Sequence, residues 1–573
     1  SQFAHDYLCL FEQFLKEEYP SFSKNLINNQ FNMQEMIDIS LEFLLTDSKV
    51  FDILKHQYNL VQPIEIVHPE TGSKIQYIPI AEMLASIIKN EHLMKFFVEP
   101  CINNCNFFTS TYFKECISSL VTSDSGIFLK LYSDEIEVCN PIGSAKTKHK
   151  LCVIYYSILN FPEYLNSSLE LSFLSTIFSE STIKKAGLQF CLSPLIAELN
   201  DLYYKEFEIN TSLTLPVVAC FMTGDNLSMH QMLGLQKCFS SGYVCRFCYK
   251  EYRQLCSIDI QCLDKLFQFN YRTHLSNIND SQQLNNGFVR NSAFEGLSYI
   301  DLQYFFPPDI MHDDLEGFSH LVVCLVLLNA MEKNHISMEF INEQFSKIYD
   351  VSLPKLSKYN IKNFHLPCTA SQMIVILQYF GLLFGDLFDY DDDIWILFCN
   401  HKLFLNIILS PYYDKDVDID YFKFLVAAQL ETIYKYTDFN PKYKCKLHYI
   451  CHYPELYHYF SGLRYLWCMR SEAQHQVIKN ISRQCKNYNN VAFTCAKNFQ
   501  IQKALVVTHF MPHDLKEAKC SSIIKISSIL TTPEKIKLSN ILNVKFDSLG
   551  QICFSTTVLN FRGFHYKTWL GYI

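Results

Sequence analysis

No low-complexity tract and no internal repeat occurs in this 573-residue chain, which excludes disordered, fibrous and solenoid architectures. Long apolar runs are missing too. The longest, Leu321 to Met331, falls far short of the roughly 20 residues that span a bilayer, so no membrane association is expected. Positive charge is in deficit, with a formal net charge of -9. Tight non-specific DNA binding comes mainly from phosphate neutralisation, so any nucleic-acid surface here must be local. There is neither a secretory leader nor an initiator Met, which reads as a fragment or a processed chain. What is present is a globular composition, 49% hydrophobic and 19% charged, and length enough for about four domains. The 23 cysteines, odd in number and scattered through apolar segments, read as reduced core thiols in a cytosolic or nuclear compartment.

The chain is organised around Leu215 to Cys248. Leu215 to Met222 is a short apolar run bounded by Pro216 and Gly224, the pattern of a buried strand ending in a turn. Asp225 then sits at its tip, where open α/β sheets place ligand chemistry; a turn or N-cap aspartate is the plainer reading. Upstream, residues 1–62 carry helical spacing. Ile64 to Val67 and Lys74 to Ile78 form a hairpin closed by Gly72, and a helix follows from about Ile80 to Val98. Cys101 and Cys105 are read as ordinary thiols. Ile127, Leu129 and Leu131 alternate with Phe128, Lys130 and Tyr132 in a strand with Asp134 and Glu135 near its far end. Leu151 to Leu159 is a second strand, and the basic NPIGSAKTKHK between them a surface turn. Ser168 to Glu206 reads as a helical crossover. This β, β, α, β order makes the Asp134 and Asp225 strands parallel neighbours and brings their carboxylates together.

Two carboxylates about 4 Å apart repel by about 4 kcal/mol at an effective dielectric near 20, so they share a proton or hold a cation. Oxygen ligands and an open site suit Mg or Mn. A third acid would complete a two-metal phosphoryl-transfer centre, and Glu472 offers it. Leu466, Met469, Ala473, Val477 and Ile481 mark one face of a helix there; beside it Glu472, His475, Lys479, Arg483 and Lys486 form a stripe. That stripe is either a solvated face or a set of phosphate contacts behind the acid. Cys245 and Cys248 have zinc-ligand spacing, and His448 and His452 share a helix face twenty residues before Glu472. A structural zinc on these four would pin the Asp225 strand to the Glu472 helix. Cys445, Cys451, His458, or Asp309 and His312 could replace a ligand, and two plain core histidines are the alternative.

The runs LYSDEIEVCNPIG, FMTGDNLSMHQMLG with CRFC, PPDIMHDDLEG, and LHYICHYPELYHYF leading to LWCMRSEAQHQVIK, in this order, resemble the DDE transposases of cut-and-paste DNA transposons, in particular CACTA-related, transposon-derived animal proteins. The resemblance covers roughly residues 60–510. It implies an RNase H-like core with Asp134, Asp225 and Glu472 as catalytic acids holding two Mg or Mn ions. Through the vertebrate antigen-receptor recombinase, a more distant relative, it implies that Cys245, Cys248, His448 and His452 bind one structural zinc. Asp309 and His312 match an Asp-x2-His element of many such enzymes and are second-choice site residues. His475, Lys479, Arg483 and Lys486 would contact DNA, the transposon ends and target. A homodimer or higher oligomer on DNA, in the nucleus, is implied as well.

The expected fold class is α/β, an RNase H-like core interrupted by a large all-helical insertion. Residues 1–110 would be a helical N-terminal region with a small hairpin, 120–250 the first part of the core, 251–440 the helical insertion, 441–510 the second part of the core, and 511–573 a small β-rich segment. Three departures from the family pattern, no N-terminal Cys/His finger region, Ser471 before Glu472 and Glu135 after Asp134, support the alternative: a catalytically idle, host-adopted DNA- or protein-binding module.

Overall fold

In the computed structural model, the chain divides into two compact units, Ser1–Val61 and Gln62–Ile573. The structure describes residues 54–98, 106–122, 125–138, 150–255, 263–333, 336–348, 351–437, 444–485, 490–508 and 510, with the backbone of 523–525, 553–555, 558–561 and 564–567. The expected helices of residues 1–53, the basic turn at 140–150 apart from Lys150, Cys101, Cys105 and Lys486 lie outside the described residues.

The second unit is mixed α/β. Its sheet has six strands, β1 (Ile64–Val67), β2 (Lys74–Tyr77), β3 (Ile127–Glu137), β4 (Lys150–Ile158), β5 (Phe173–Ser179) and β6 (Val217–Thr223), in the order β1-β2-β5-β4-β3-β6. All neighbours are antiparallel except β3 and β6, which run parallel. The hairpin of β1 and β2 turns through Gly72 at φ +64, a left-handed position that favours glycine. β5 was not foreseen: the segment read as wholly helical contains this strand before its helix. Its sequence, FLSTIFS, sits between a tight turn and a capped helix start, and its polar Ser175 and Thr176 are buried. Near β6, Leu215 belongs instead to a small hairpin with Phe207–Asn210, because Pro216 interrupts the run.

The helices that matter for the site are α1 (Ile80–Ile87), α2 (Glu180–Tyr204), α3 (Asn226–Leu233), α4 (Ser319–Lys333), α5 (Ala370–Phe384), α6 (Asp393–Ile408), α7 (Ile419–Tyr436), α8 (Lys444–Cys451), α9 (Met469–Cys485) and α10 (Val491–Thr508). The single helix expected from Ile80 to Val98 is two, with a second at Glu91–Val98. The described elements between Tyr252 and Tyr436 are all helices, and the C-terminal strands described are two short antiparallel pairs.

Helices cover both faces of the sheet. The Tyr155 ring meets His475 of α9 and Phe499 of α10, whereas the next residue, Tyr156, feels the charge of Glu198 on α2, as strand alternation requires. The segment 301–310 closes the edge of β6, where the Phe305 carbonyl accepts the Met222 N–H at 2.7 Å. By length and composition alone Met311–Lys333 and Ala370–Leu387 are apolar enough to cross a membrane, a test that buried core helices also pass, and the first is 78% buried within the protein.

One cap is supplied from a distance. Pro79 offers α1 no side-chain cap, and Glu198 accepts the N–H groups of Ile80 at 2.8 Å and Ala81 at 3.0 Å as well as the Tyr77 hydroxyl. Charge-assisted bonds to helix N-termini of this kind contribute about 1–3 kcal/mol. Glu198→Ala is therefore expected to lower unfolding stability by about 2 kcal/mol in urea titration; an unchanged midpoint would discount the cap.

Candidate metal and acid site

Parallel pairing places the first two acids. β3 and β6 pair from Ile127 with Val217 to Leu129 with Ala219 and, after a one-residue bulge at Cys220, from Lys130 with Phe221 to Tyr132 with Thr223; two further steps along each chain set Asp225 beside Asp134. Between them Gly224 is closely packed: a Cβ there would lie 2.5 Å from the Ser133 carbonyl oxygen and 2.6 Å from the Met229 side chain. Glycine is what lets the turn after β6 lie against β3. Asp225 is the N-cap of α3, with Oδ1 accepting the Ser228 N–H at 2.6 Å. The plain cap reading and the site reading thus hold for one residue.

Glu472 arrives on the first turn of α9. Its Oε1 meets His312 Nε2 at 2.9 Å, and His312 Nδ1 meets Asp309 Oδ2 at 2.5 Å. Asp309 is 3% exposed and accepts the Cys468 N–H at 2.9 Å just before α9. Burial opposes a charged His312, but its bonds to Asp309, Cys468 and Glu472 outweigh it and hold the imidazole well above its ordinary range. Asp309 remains low despite burial, chiefly through His312. The structure thus brings the second-choice pair to the third acid.

Asp134 carries the electrostatic load. Its Oδ1 accepts the Glu135 N–H at 2.6 Å and its Oδ2 the Tyr132 hydroxyl at 3.2 Å. Burial first, then the charges of Asp225 and Glu472, push its carboxyl up to about 7. Asp225 and Glu472, both far from it in sequence, therefore act on Asp134 in space.

The face of α9 differs from the expected one. Gln474, His475, Ile478, Ile481 and Ser482 are buried, whereas Met469, Ala473 and Val477 are only half-buried. His475 is not part of a solvent-facing cation stripe: it packs against Tyr132 and Tyr155, with Nδ1 3.5 Å from Asp134 Oδ2. Burial pushes it down to about 3, so it is neutral. Lys479 is half-buried and Arg483 exposed.

Cys245, Cys248, His448 and His452 are all buried, with their ligand atoms within 4.8 Å of one another, and could hold a metal ion such as zinc. Cys245 Sγ lies 3.5 Å from His452 Nε2, Cys248 Sγ 3.3 Å from His448 Nε2, and the two Nε2 atoms are 3.3 Å apart. A tetrahedron with metal–sulfur bonds of about 2.3 Å and metal–nitrogen bonds of about 2.0–2.1 Å has N···N and S···N edges of roughly 3.3–3.6 Å, and the spacing fits. The other candidate ligands are engaged elsewhere. Cys445 and Cys451 donate to the carbonyls of Phe239 and Leu447, and His458 bonds the Tyr413 hydroxyl. Asp309, His312 and Cys468 form a second grouping of ligand-type atoms, but both ring nitrogens of His312 already face carboxylates. None of the described cysteine side chains forms a disulfide.

Sequence reasoning missed the placement of His475 and the parts played by Lys130 and Cys468. Lys130 lies on the same side of β3 as Tyr132 and Asp134 by strand alternation, and donates to the Tyr465 carbonyl at 2.9 Å. The available signal was its position as a lone cation within an apolar strand.

A scan of protein-family models finds none that matches the chain, and a search of curated proteins finds no significant match.

Two outcomes are expected. Cys248→Ser should lose a tightly held metal, read by elemental analysis, and lower the melting temperature; a full-length protein that folds identically without metal would refute the cluster. In metal-free protein Asp134 binds its proton more tightly folded than unfolded, so its contribution to stability is present at low pH and lost as pH rises from the ordinary carboxylate range through about 7. Asp134→Asn should accordingly raise the melting temperature at pH 8 and change it little at pH 4, and a lower value at pH 8 would contradict the repulsion.

Proposed function

We propose that this chain is a metal-dependent enzyme that cleaves DNA strands and transfers them, of the DDE transposase kind, on an RNase H-like core. The observation that carries the reading is the convergence of Asp134, Asp225 and Glu472, with both of the latter raising the proton affinity of Asp134. An antiparallel run of β3, β4 and β5 beside a parallel β6 supports the core assignment, as does delivery of the third acid by a helix packed on β3.

Asp134, Asp225 and Glu472 would hold two Mg or Mn ions. Bound there, such ions supply the charge that activates a water or a 3' hydroxyl and stabilises the leaving oxygen. The chain's own residues fix the geometry: Asp225 is oriented through its cap on α3, Glu472 by His312, and Asp134 by the Glu135 N–H and Tyr132. Neutral His475 excludes solvent from one side of Asp134. No side-chain nucleophile is needed. One zinc on Cys245, Cys248, His448 and His452 would be structural, since four protein ligands leave no open position. The partner is DNA, bound by a homodimer or higher oligomer in the nucleus, with Lys479 and Arg483 as the contacts that remain toward solvent on α9.

Burial of His475 and the net charge of -9 favour a second reading, a host-adopted module that binds DNA or protein without catalysis. Strand cleavage on duplex oligonucleotides with Mn separates the two. The wild-type chain should nick DNA only with a divalent ion, and Glu472→Gln should reduce the rate by more than about 100-fold. Equal rates in the two proteins would remove the acid assignment; no nicking, with zinc still bound, would leave the binding module.

A further inference from the structure

The metal-ligand cluster and the acid site are joined by side chains that neither site includes. Arg246 lies inside the Cys245-to-Cys248 turn and is 2% exposed. Its Nε donates to the Phe306 carbonyl at 3.1 Å and its Nη2 to the Pro307 carbonyl at 2.8 Å. These carbonyls stand just ahead of Asp309, whose bond to His312 orients Glu472. Nη1 of the same guanidinium donates to Asn226 Oδ1 at 2.5 Å, and Asn226 directly follows Asp225. The Asn226 amide then donates to Asp313 Oδ1 at 2.7 Å. Asp313 is fully buried, and its Oδ2 accepts the Tyr453 hydroxyl at 3.1 Å, next to His452. The guanidinium also stacks over the rings of Phe247 and Tyr449, at 4.4 and 5.1 Å, which fixes its plane.

We propose that Arg246, Asn226 and Asp313 are positioning residues that carry the geometry of the Cys/His cluster to Asp225 and Glu472. The proposal rests on the acid-site reading above. One arm runs from Arg246 through Asn226 to the start of α3, where Asp225 is capped. The other runs from Arg246 through the carbonyls of Phe306 and Pro307 to Asp309, His312 and Glu472, and Asp313 links this second arm back to Asn226 and to Tyr453. Each contact is buried or half-buried, and a bidentate guanidinium on two successive carbonyls admits little rotation. A shift of the Cys-x2-Cys turn is therefore felt by two of the three acids at once. Supporting groups of this type tune metal affinity by about 10- to 100-fold when removed.

The test is Mn binding by the full-length, zinc-loaded protein, followed by electron paramagnetic resonance of free Mn, with zinc content and melting temperature measured in parallel. Glu472→Gln identifies the signal from the acid site. Asn226→Ala removes the central amide without placing a new group, and Asp313→Asn keeps the shape while altering the acceptor. Both are expected to retain zinc and to bind Mn about 10-fold or more weakly, with cleavage at saturating Mn largely recovered in Asn226→Ala, a split that mere loss of folded protein would not give. If both bind Mn as the wild type does, the coupling is overturned while the acid-site reading stands. If the wild type itself binds no Mn that depends on Glu472, the acid-site reading falls and the coupling with it.

Discussion

Mutual repulsion among half-buried carboxylates is the constraint on which the candidate site depends. Two unit charges about 4 Å apart at an effective dielectric near 20 repel by about 4 kcal/mol, a large fraction of the roughly 5–15 kcal/mol that holds a domain folded. Left free, the side chains would turn apart. Asp134 is instead fixed within β3 by the Glu135 N–H and Tyr132, and the β3–β6 register with the close contact at Gly224 delivers Asp225 to it. Glu472 is held by an imidazole that is itself anchored on a buried aspartate. Each acid is thus held by partners of its own on a different element.

The segment Met311–Phe318 does much of this tying. It is π-helical, a wider winding often found at functional sites, and the successive residues His312, Asp313 and Asp314 each reach a different part of the structure. His312 meets Glu472, and Asp313 meets Asn226 and Tyr453. Asp314, fully buried, accepts the Ser319 hydroxyl, which also faces His401. Burial pushes Asp314 up to about 8 and His401 down to about 3, so this pair is neutral and packs as ordinary polar core. The sites upstream and downstream of this segment are thereby fastened to the helices between them.

The parts legible in the sequence were those that short-range pattern determines. Alternation marked β3, a run rich in branched and aromatic residues marked β4, a glycine-closed turn marked the β1–β2 hairpin, and residue type with spacing marked the Cys/His set. β5 was not legible because its inward residues include Ser175 and Thr176, so a buried strand imitates a mixed segment leading into a helix. The buried face of α9 was misjudged for a related reason. His475 counts as polar in any periodicity, yet between Tyr132, Tyr155 and Asp134 it is a better core residue than Val477. The Asp309 and His312 pair could be picked out as chemistry-bearing, but which acid it served is set by the 301–310 segment lying along β6, a contact with no local signal.

A net charge of -9 would suggest that the acid site lacks balancing cations, but that count ignores where the cations lie. His312 acts on Asp134 directly, while Lys130, Arg246 and Lys446 act mostly on the carboxylates that support the site. Lys130 acts on Asp309 and Cys468, Arg246 on Asp313, and Lys446 on Asp313, Glu316, Asp309 and Asp225. Burial pushes Lys130 and Lys446 down from their ordinary range, so each is desolvated and its field reaches its neighbouring carboxylates with little screening by salt. Charges held this way favour the ionised form of Asp309 and Asp313, and through Lys446 that of Asp225. Glu472 and Asp134 keep part of their side-chain surface open, 29% and 20%, whereas Asp309, Asp313 and Asp314 are buried.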